Sequence, residues 1–178
     1  MSDPAAKLTI QEFLSDEHLK GIGLVIGTWS YAEGIIRHSL WEVATGHSFA
    51  ELDREKGVSL ALITGMDVRV ALGILKAVFR AKFPQSADQL DKLADRLNKL
   101  YDRRNTIAHG IWRKGQKPNS IACYKFKTSG ELGSKRVSYT SEELRRAACL
   151  IQERAQQLLT FLQKYGYSKD VTAAPGRR

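Results

Sequence analysis

The sequence predicts an all-α fold, a bundle of four to five helices with one short β-hairpin inserted before the last helix. Three observations predict it. Several long stretches repeat apolar residues at the spacing of a helix face. Two helix starts carry capping-box patterns, Ser86-Ala87-Asp88-Gln89 and Thr140-Ser141-Glu142-Glu143. Strand-like alternation is confined to one region, between the third and fourth helical stretches.

The first helix is expected over about Leu19 to Ala44. Ile22, Val25, Ile26, Trp29, Ala32, Ile36, Leu40 and Val43 recur at helical spacing, and Gly46 is a natural stop. From His47 to Thr64 no period stands out, which fits a short helix or a loop. The second long helix, Met66 to Lys82, is apolar on nearly all sides, as in a central helix, and ends at Pro84. The third follows the capping box at Ser86 and runs to about Ala108, with Gly110 placed for a left-handed cap. Ile121–Lys127 and Lys135–Tyr139 then read as the two strands of a hairpin spanning about 120–139. The last helix opens at Thr140 and carries the most regular stripe, from Leu144 through Ala148, Ile151, Ala155 and Leu158 to Tyr165. One domain over 10–165 is expected, flanked by a flexible segment 1–9 and a disordered basic tail 166–178.

Composition narrows the class of function. The chain has 178 residues, and no apolar run is long enough to span a membrane. No secretory signal pattern is visible, and Cys123 and Cys149 make neither a disulfide framework nor a zinc knuckle. A reducing cytoplasm is the expected setting, with no membrane partner. The formal net charge is +9, and most of it lies between Lys99 and Arg136, where ten basic residues face two acidic ones. Such an excess attracts phosphate backbones. A charge run alone reads equally well as a solvated surface.

Two charges stand where apolar residues are expected. On the third long helix, Arg104 lies seven residues beyond Leu97 and four beyond Leu100, inside the apolar stripe, whereas Arg103 points to water. On the first, Glu33 lies four residues after Trp29 and seven before Leu40, again on the apolar side. A buried lone charge costs several kcal/mol or more. Either the two form a structural ion pair or they share the floor of a groove.

The stretch Arg104-Asn105-Thr106-Ile107-Ala108-His109 resembles the signature of HEPN domains: an Arg, a polar residue directly after it, and a His near the end of a helix. A first helix bearing Trp29 and Glu33 and a hairpin before the last helix are also similar to members of that family. The likeness covers roughly Leu19 to Tyr165, and its specific part is six residues. It implies a metal-independent endoribonuclease of the toxin or phage-defence kind, with Arg104, His109 and Asn105 catalytic. The alternative is a non-catalytic HEPN-like module that dimerises or binds RNA or nucleotides.

The implied chemistry is sound. RNA supplies its own nucleophile, the ribose 2′-OH. A His near neutral pH can take its proton, and a permanently charged guanidinium can steady the crowded phosphate. No metal and no cofactor are needed, and no metal-ligand spacing is present. Asn105 is expected to orient the His or hold a phosphate oxygen. Glu33, Tyr101 and Trp112 are expected to support the site, the two rings by stacking on bases. Arg103, Arg113, Lys114, Lys117, Lys125 and Lys127 are expected to hold the nucleic acid.

Residues five apart on a helix point about 140° from each other. Arg104 and His109 therefore converge only if the helix unwinds at Ala108–Gly110, or if two copies meet across a twofold axis. The resemblance implies the second, a homodimer with a composite cleft, and for toxins an antitoxin or regulatory protein as a further partner. Some toxin members carry a Tyr two residues after the His; here that residue is Ile111, so modification at that position is not expected. A His in the last turn of a helix also has a plainer use, complementing the helix dipole.

Overall fold

Five α-helices and a three-stranded antiparallel sheet inserted before the last helix account for the described residues, 14–48, 54–127 and 133–167, of the computed structural model. The helices are α1 (Asp16–Thr45), α2 (Arg54–Gly65), α3 (Val68–Lys82), α4 (Ala87–His109) and α5 (Ser141–Gln163). The strands are β1 (Ile111–Lys114), β2 (Ser120–Lys127) and β3 (Gly133–Thr140), in the order β1-β2-β3. No helix among the described residues is long and apolar enough to cross a membrane. The readings of 1–9 as flexible and of most of 166–178 as disordered fall outside the described residues.

The chain forms two compact units. Among the described residues, one comprises 14–27 with Asp102–Cys149; the other comprises Thr28–Tyr101 and 150–167. Helices α1, α4 and α5 each contribute to both.

The first unit contains the sheet. Its register pairs Trp112 with Cys123 and Cys123 with Val137, so the hairpin expected from sequence gains a third strand, β1, immediately after α4. Ile121, Cys123, Tyr139, Ile107, Leu144 and Ala147 are buried. The capping box at the start of α5 forms as expected: Thr140 N donates to Glu143 Oε2 at 2.8 Å, and Glu143 N donates to Thr140 Oγ1 at 3.2 Å.

The second unit packs around Trp29, Ile36, Leu40, Leu72, Phe79, Leu90, Leu97 and Leu158, all fully buried. Phe79, Phe83, Phe161 and Tyr165 form one aromatic cluster, with Phe79 and Tyr165 edge to face at 4.9 Å. Helix α1 stops at Gly46, whose φ of 77° is the left-handed cap and whose N–H donates to the Glu42 carbonyl. At the end of α5, Gly166 N donates to Gln163 O and Tyr167 N to Leu162 O, so the first two residues read as tail belong to the helix cap. Helix α3 begins one residue after its cap, Asp67, whose carboxylate accepts from Arg69 N. It is not enveloped as its composition suggested. Val68, Ala71, Leu72, Leu75 and Phe79 make one buried face, while Val70 is 52% exposed.

The inward charge on α1 is resolved locally. Glu33 Oε1 accepts from Trp29 Nε1 at 2.8 Å, and its second oxygen lies 3.8 Å from Arg37 Nη1. Arg37 Nη2 in turn donates to the Met66 carbonyl. Trp29 stacks on Tyr101 at 5.5 Å, and Tyr101 Oη donates to Asp67 at 2.6 Å. The chain of contacts thus leaves α1 at Arg37 for Met66 and returns from Asp67 through Tyr101. Glu33→Ala strands a fully buried indole N–H. It is expected to lower unfolding stability by about 1–3 kcal/mol, measured by urea denaturation.

Asp67 ties this network to pH. The Tyr101 hydroxyl, then the Arg69 N–H, hold its carboxyl below the usual carboxylate range. Its stabilisation is therefore complete above the unfolded pKa, about 4, and is lost as pH falls through the lower folded value. Thermal melts from pH 6 to pH 2.5 are expected to fall less steeply for Asp67→Asn than for the wild type. Parallel curves would refute this.

Candidate functional site

Helix α4 carries the candidate residues. Leu90, Ala94, Leu97 and Ile107 on it are fully buried and Leu100 nearly so, and Arg104 lies on that stripe, half-buried. Its Nε is buried without a hydrogen-bond partner. Its Nη1 donates to Asn105 Oδ1 at 3.1 Å. Among the described residues the guanidinium makes that one hydrogen bond, to a neutral amide, and no ion pair.

Two partners left open by the sequence are defined here. Asn105 Oδ1 accepts from Arg104, so this amide holds the cation. Glu33 is engaged by Trp29 and Arg37 within its own helix, so an ion pair with Arg104 is not what resolves its charge.

His109 is the last residue of α4, and its side chain is exposed. The helix does not unwind before it. Gly110 N still donates to Thr106 O at 3.0 Å, which continues the helical pattern one residue further. Arg104 and His109 of one chain therefore project about 140° apart. A single copy of α4 does not bring them onto one face.

The end of α4 is anchored to the sheet. Cys123 Sγ donates to the Thr106 carbonyl at 2.9 Å, giving that oxygen a second donor. Burial pushes the Cys123 thiol up to about 11, so it stays protonated and keeps donating. Thr106 Oγ1 donates to Asp102 O one turn back. Gly110 has no left-handed φ, contrary to the cap expected there. It is small for another reason: a Cβ would fall 2.6 Å from Thr106 O and closer still to Cys123 Sγ.

The supporting residues are occupied elsewhere. Tyr101 contacts Trp29 and the Arg69 guanidinium, with its hydroxyl on Asp67. Trp112 packs on Tyr139 at 6.0 Å. Both rings are thus engaged within the fold, and both are partly buried. Arg103, expected in water, lies 5.6 Å from the Tyr139 ring centre and donates to the Glu143 carbonyl. Burial raises the Tyr139 pKa, and the nearby Arg103 opposes that shift.

The basic residues of the sheet are divided by strand alternation. Arg113 belongs to one face, with Ile111, Tyr124 and Arg136; Lys114 and Lys125 belong to the other. Lys117 is exposed in the β1–β2 turn. Lys114 and Lys117 line an open groove of about 570 Å³ whose wall includes His18. His18 is buried, with Nδ1 2.8 Å from Ser15 Oγ and Nε2 3.2 Å from Asn119 O. The Lys127 side chain lies outside the described residues.

The sequence did not single out Cys123 or the packing role of Gly110. The signal available for the first was its place two residues from Ile121, on the same side of a strand. No protein-family model matches the chain, and comparison with curated proteins and with solved structures finds no match.

Proposed function

We propose that this chain is a metal-independent endoribonuclease of the HEPN type, with Arg104, Asn105 and His109 in its site. The observation that carries the proposal is Arg104: a half-buried guanidinium held by a neutral amide, with no carboxylate on it among the described residues. Structural buried arginines are normally paired with acids. One left unpaired and oriented is suited to an external anion, here the phosphate of RNA.

His109 then takes the proton of the 2′-OH as the 2′-oxygen attacks phosphorus. Arg104 balances the added charge on the phosphorane. The P–O5′ bond breaks, and the leaving 5′-oxygen receives a proton from a protonated imidazole. The products are a 2′,3′-cyclic phosphate and a 5′-OH end. Because one α4 points Arg104 and His109 apart, the proposal includes a homodimer in which two copies supply the site across a twofold axis. A toxin or defence role, restrained by a partner protein, follows from the same resemblance; the cytoplasmic setting rests on the cysteine content and the lack of a visible signal pattern.

The straight end of α4 favours a second reading, an RNA-binding module without catalysis. One experiment separates them. The full chain is incubated with RNA in EDTA and the product ends are identified. Cleavage to cyclic-phosphate ends in chelator supports the nuclease. Binding without cleavage supports the module.

A further inference from the structure

The face of the sheet that carries Arg113 combines features the proposed chemistry does not use. The register sets Ile111, Tyr124 and Arg136 in one cross-strand row, and alternation adds Arg113, the buried Ala122 and Ser138 from the next row. Arg113, Arg136 and Ser138 are exposed. Ile111 is 53% exposed, although it is a large apolar residue in a strand. The Arg136 guanidinium lies 5.6 Å from the centre of the Tyr124 ring, which is half-buried. The opposite face carries the buried Ile121, Cys123 and Tyr139, with Trp112 packed on Tyr139 and Lys114 exposed at one end.

We infer that this sheet face is a platform for single-stranded RNA, formed by Ile111, Arg113, Tyr124 and Arg136. The choice of RNA rests on the proposed function; the platform itself rests on the register and exposure. Single-stranded nucleic acid is held where cations meet the backbone and flat groups accept the bases. Here two exposed guanidiniums, one already parked over a ring, supply both the charge and a planar stacking surface. An exposed Ile beside them offers apolar contact to a base. Strand β1 begins two residues after His109, so the face follows the candidate cleavage residue closely in the chain. The occupant is single-stranded because bases must be free to lie on the ring and the guanidinium, which a duplex does not allow.

The experiment uses the full chain bearing His109→Ala, so that binding is read without cleavage. Fluorescence anisotropy with a short single-stranded RNA and with the same RNA as a duplex is followed against salt. Tyr124→Ala is expected to weaken single-strand binding by about 5- to 100-fold, and Tyr124→Phe to retain it. Arg113→Gln with Arg136→Gln is expected to flatten the slope of log affinity against log salt by about 1.4. Lys92→Gln with Lys99→Gln, an equal charge change on exposed residues of α4, is expected to leave the slope unchanged. Thermal melts check that each variant is folded; the arginine pair, being on the surface, decides the matter if Tyr124→Ala unfolds. Equal slopes for the two double variants would overturn the platform. So would duplex binding as tight as single-strand binding, or no RNA binding at all by the parent. The absence of any RNA binding would also overturn the nuclease proposal; the other two outcomes leave that proposal to the EDTA assay.

Discussion

Arg104→Ala is expected to slow RNA cleavage by about 100- to 1,000-fold, the usual cost of removing one preorganised donor from a transition-state anion. His109→Ala is expected to cost about 100- to 10,000-fold through loss of general base catalysis. Single-turnover cleavage with excess protein measures both without interference from product release. The more telling result comes from mixing the two inactive variants. If each chain supplied a complete site, every dimer in the mixture would remain inactive. If Arg104 of one copy works with His109 of the other, exchange of subunits places one intact pair in each mixed dimer. Up to about a quarter of wild-type activity then returns. The unbroken helix through His109 predicts recovery, since one α4 directs the two side chains about 140° apart. Full activity in either single variant would refute the assigned roles, and inactivity of the mixture would refute the shared site.

Asn105→Ala probes a smaller part of the same arrangement. Its amide holds Arg104, so its loss costs less than the loss of the cation it orients.

What could be read from the sequence follows from how much each element buries. Helices α4 and α5 lay one apolar stripe inward, and their phasing was legible over several turns. Thr140 with Glu143 and the glycine at 46 were legible because caps need particular residues at fixed offsets. Helix α2 was not. Among its described side chains Ile63 is buried while Val58 and Leu62 are 62% and 67% exposed, so no stripe marks it. Strand β1 was missed because four residues give too little alternation, and because it follows α4 with a single residue between.

The candidate site shows the same division. Phasing alone put Arg104 and Glu33 on inward positions, and both are at least half-buried. It did not say which atoms meet them. Glu33 is met by a tryptophan one turn earlier on its own helix, and Arg104 by its immediate neighbour. Such partners depend on rotamers, which periodicity does not carry. Trp112 illustrates the other direction: an aromatic beside the motif looked available for bases, and the third strand gives it to Tyr139.

Gly110→Ala is expected to be among the most destabilising single substitutions in the protein. Glycine at a helix end usually relieves a left-handed φ, and there Ala costs little more than backbone strain. Here φ is not left-handed, and the constraint is space. A methyl group would meet the Cys123 sulfur, come within 2.6 Å of Thr106 O and lie 3.2 Å from Tyr124 O. Cys123 is fully buried in the central strand, so it cannot swing away as a surface side chain would. Overpacking of this kind costs about 1–3 kcal/mol, and two contacts at once place Gly110 at the upper end. At about 3 kcal/mol the melting temperature falls by roughly 6–12 °C. Adding Cys123→Ala removes the sulfur but not the carbonyl clash, so the double variant should recover only part of that loss. Full recovery would mean that the sulfur alone sets the limit. No loss in the single variant would mean that the end of α4 is not clamped to β2. Because His109 is the residue before this glycine, the clamp also fixes where its imidazole emerges. Cleavage by Gly110→Ala at a temperature where it is fully folded should therefore fall, whereas a surface change of equal thermal cost would leave it intact.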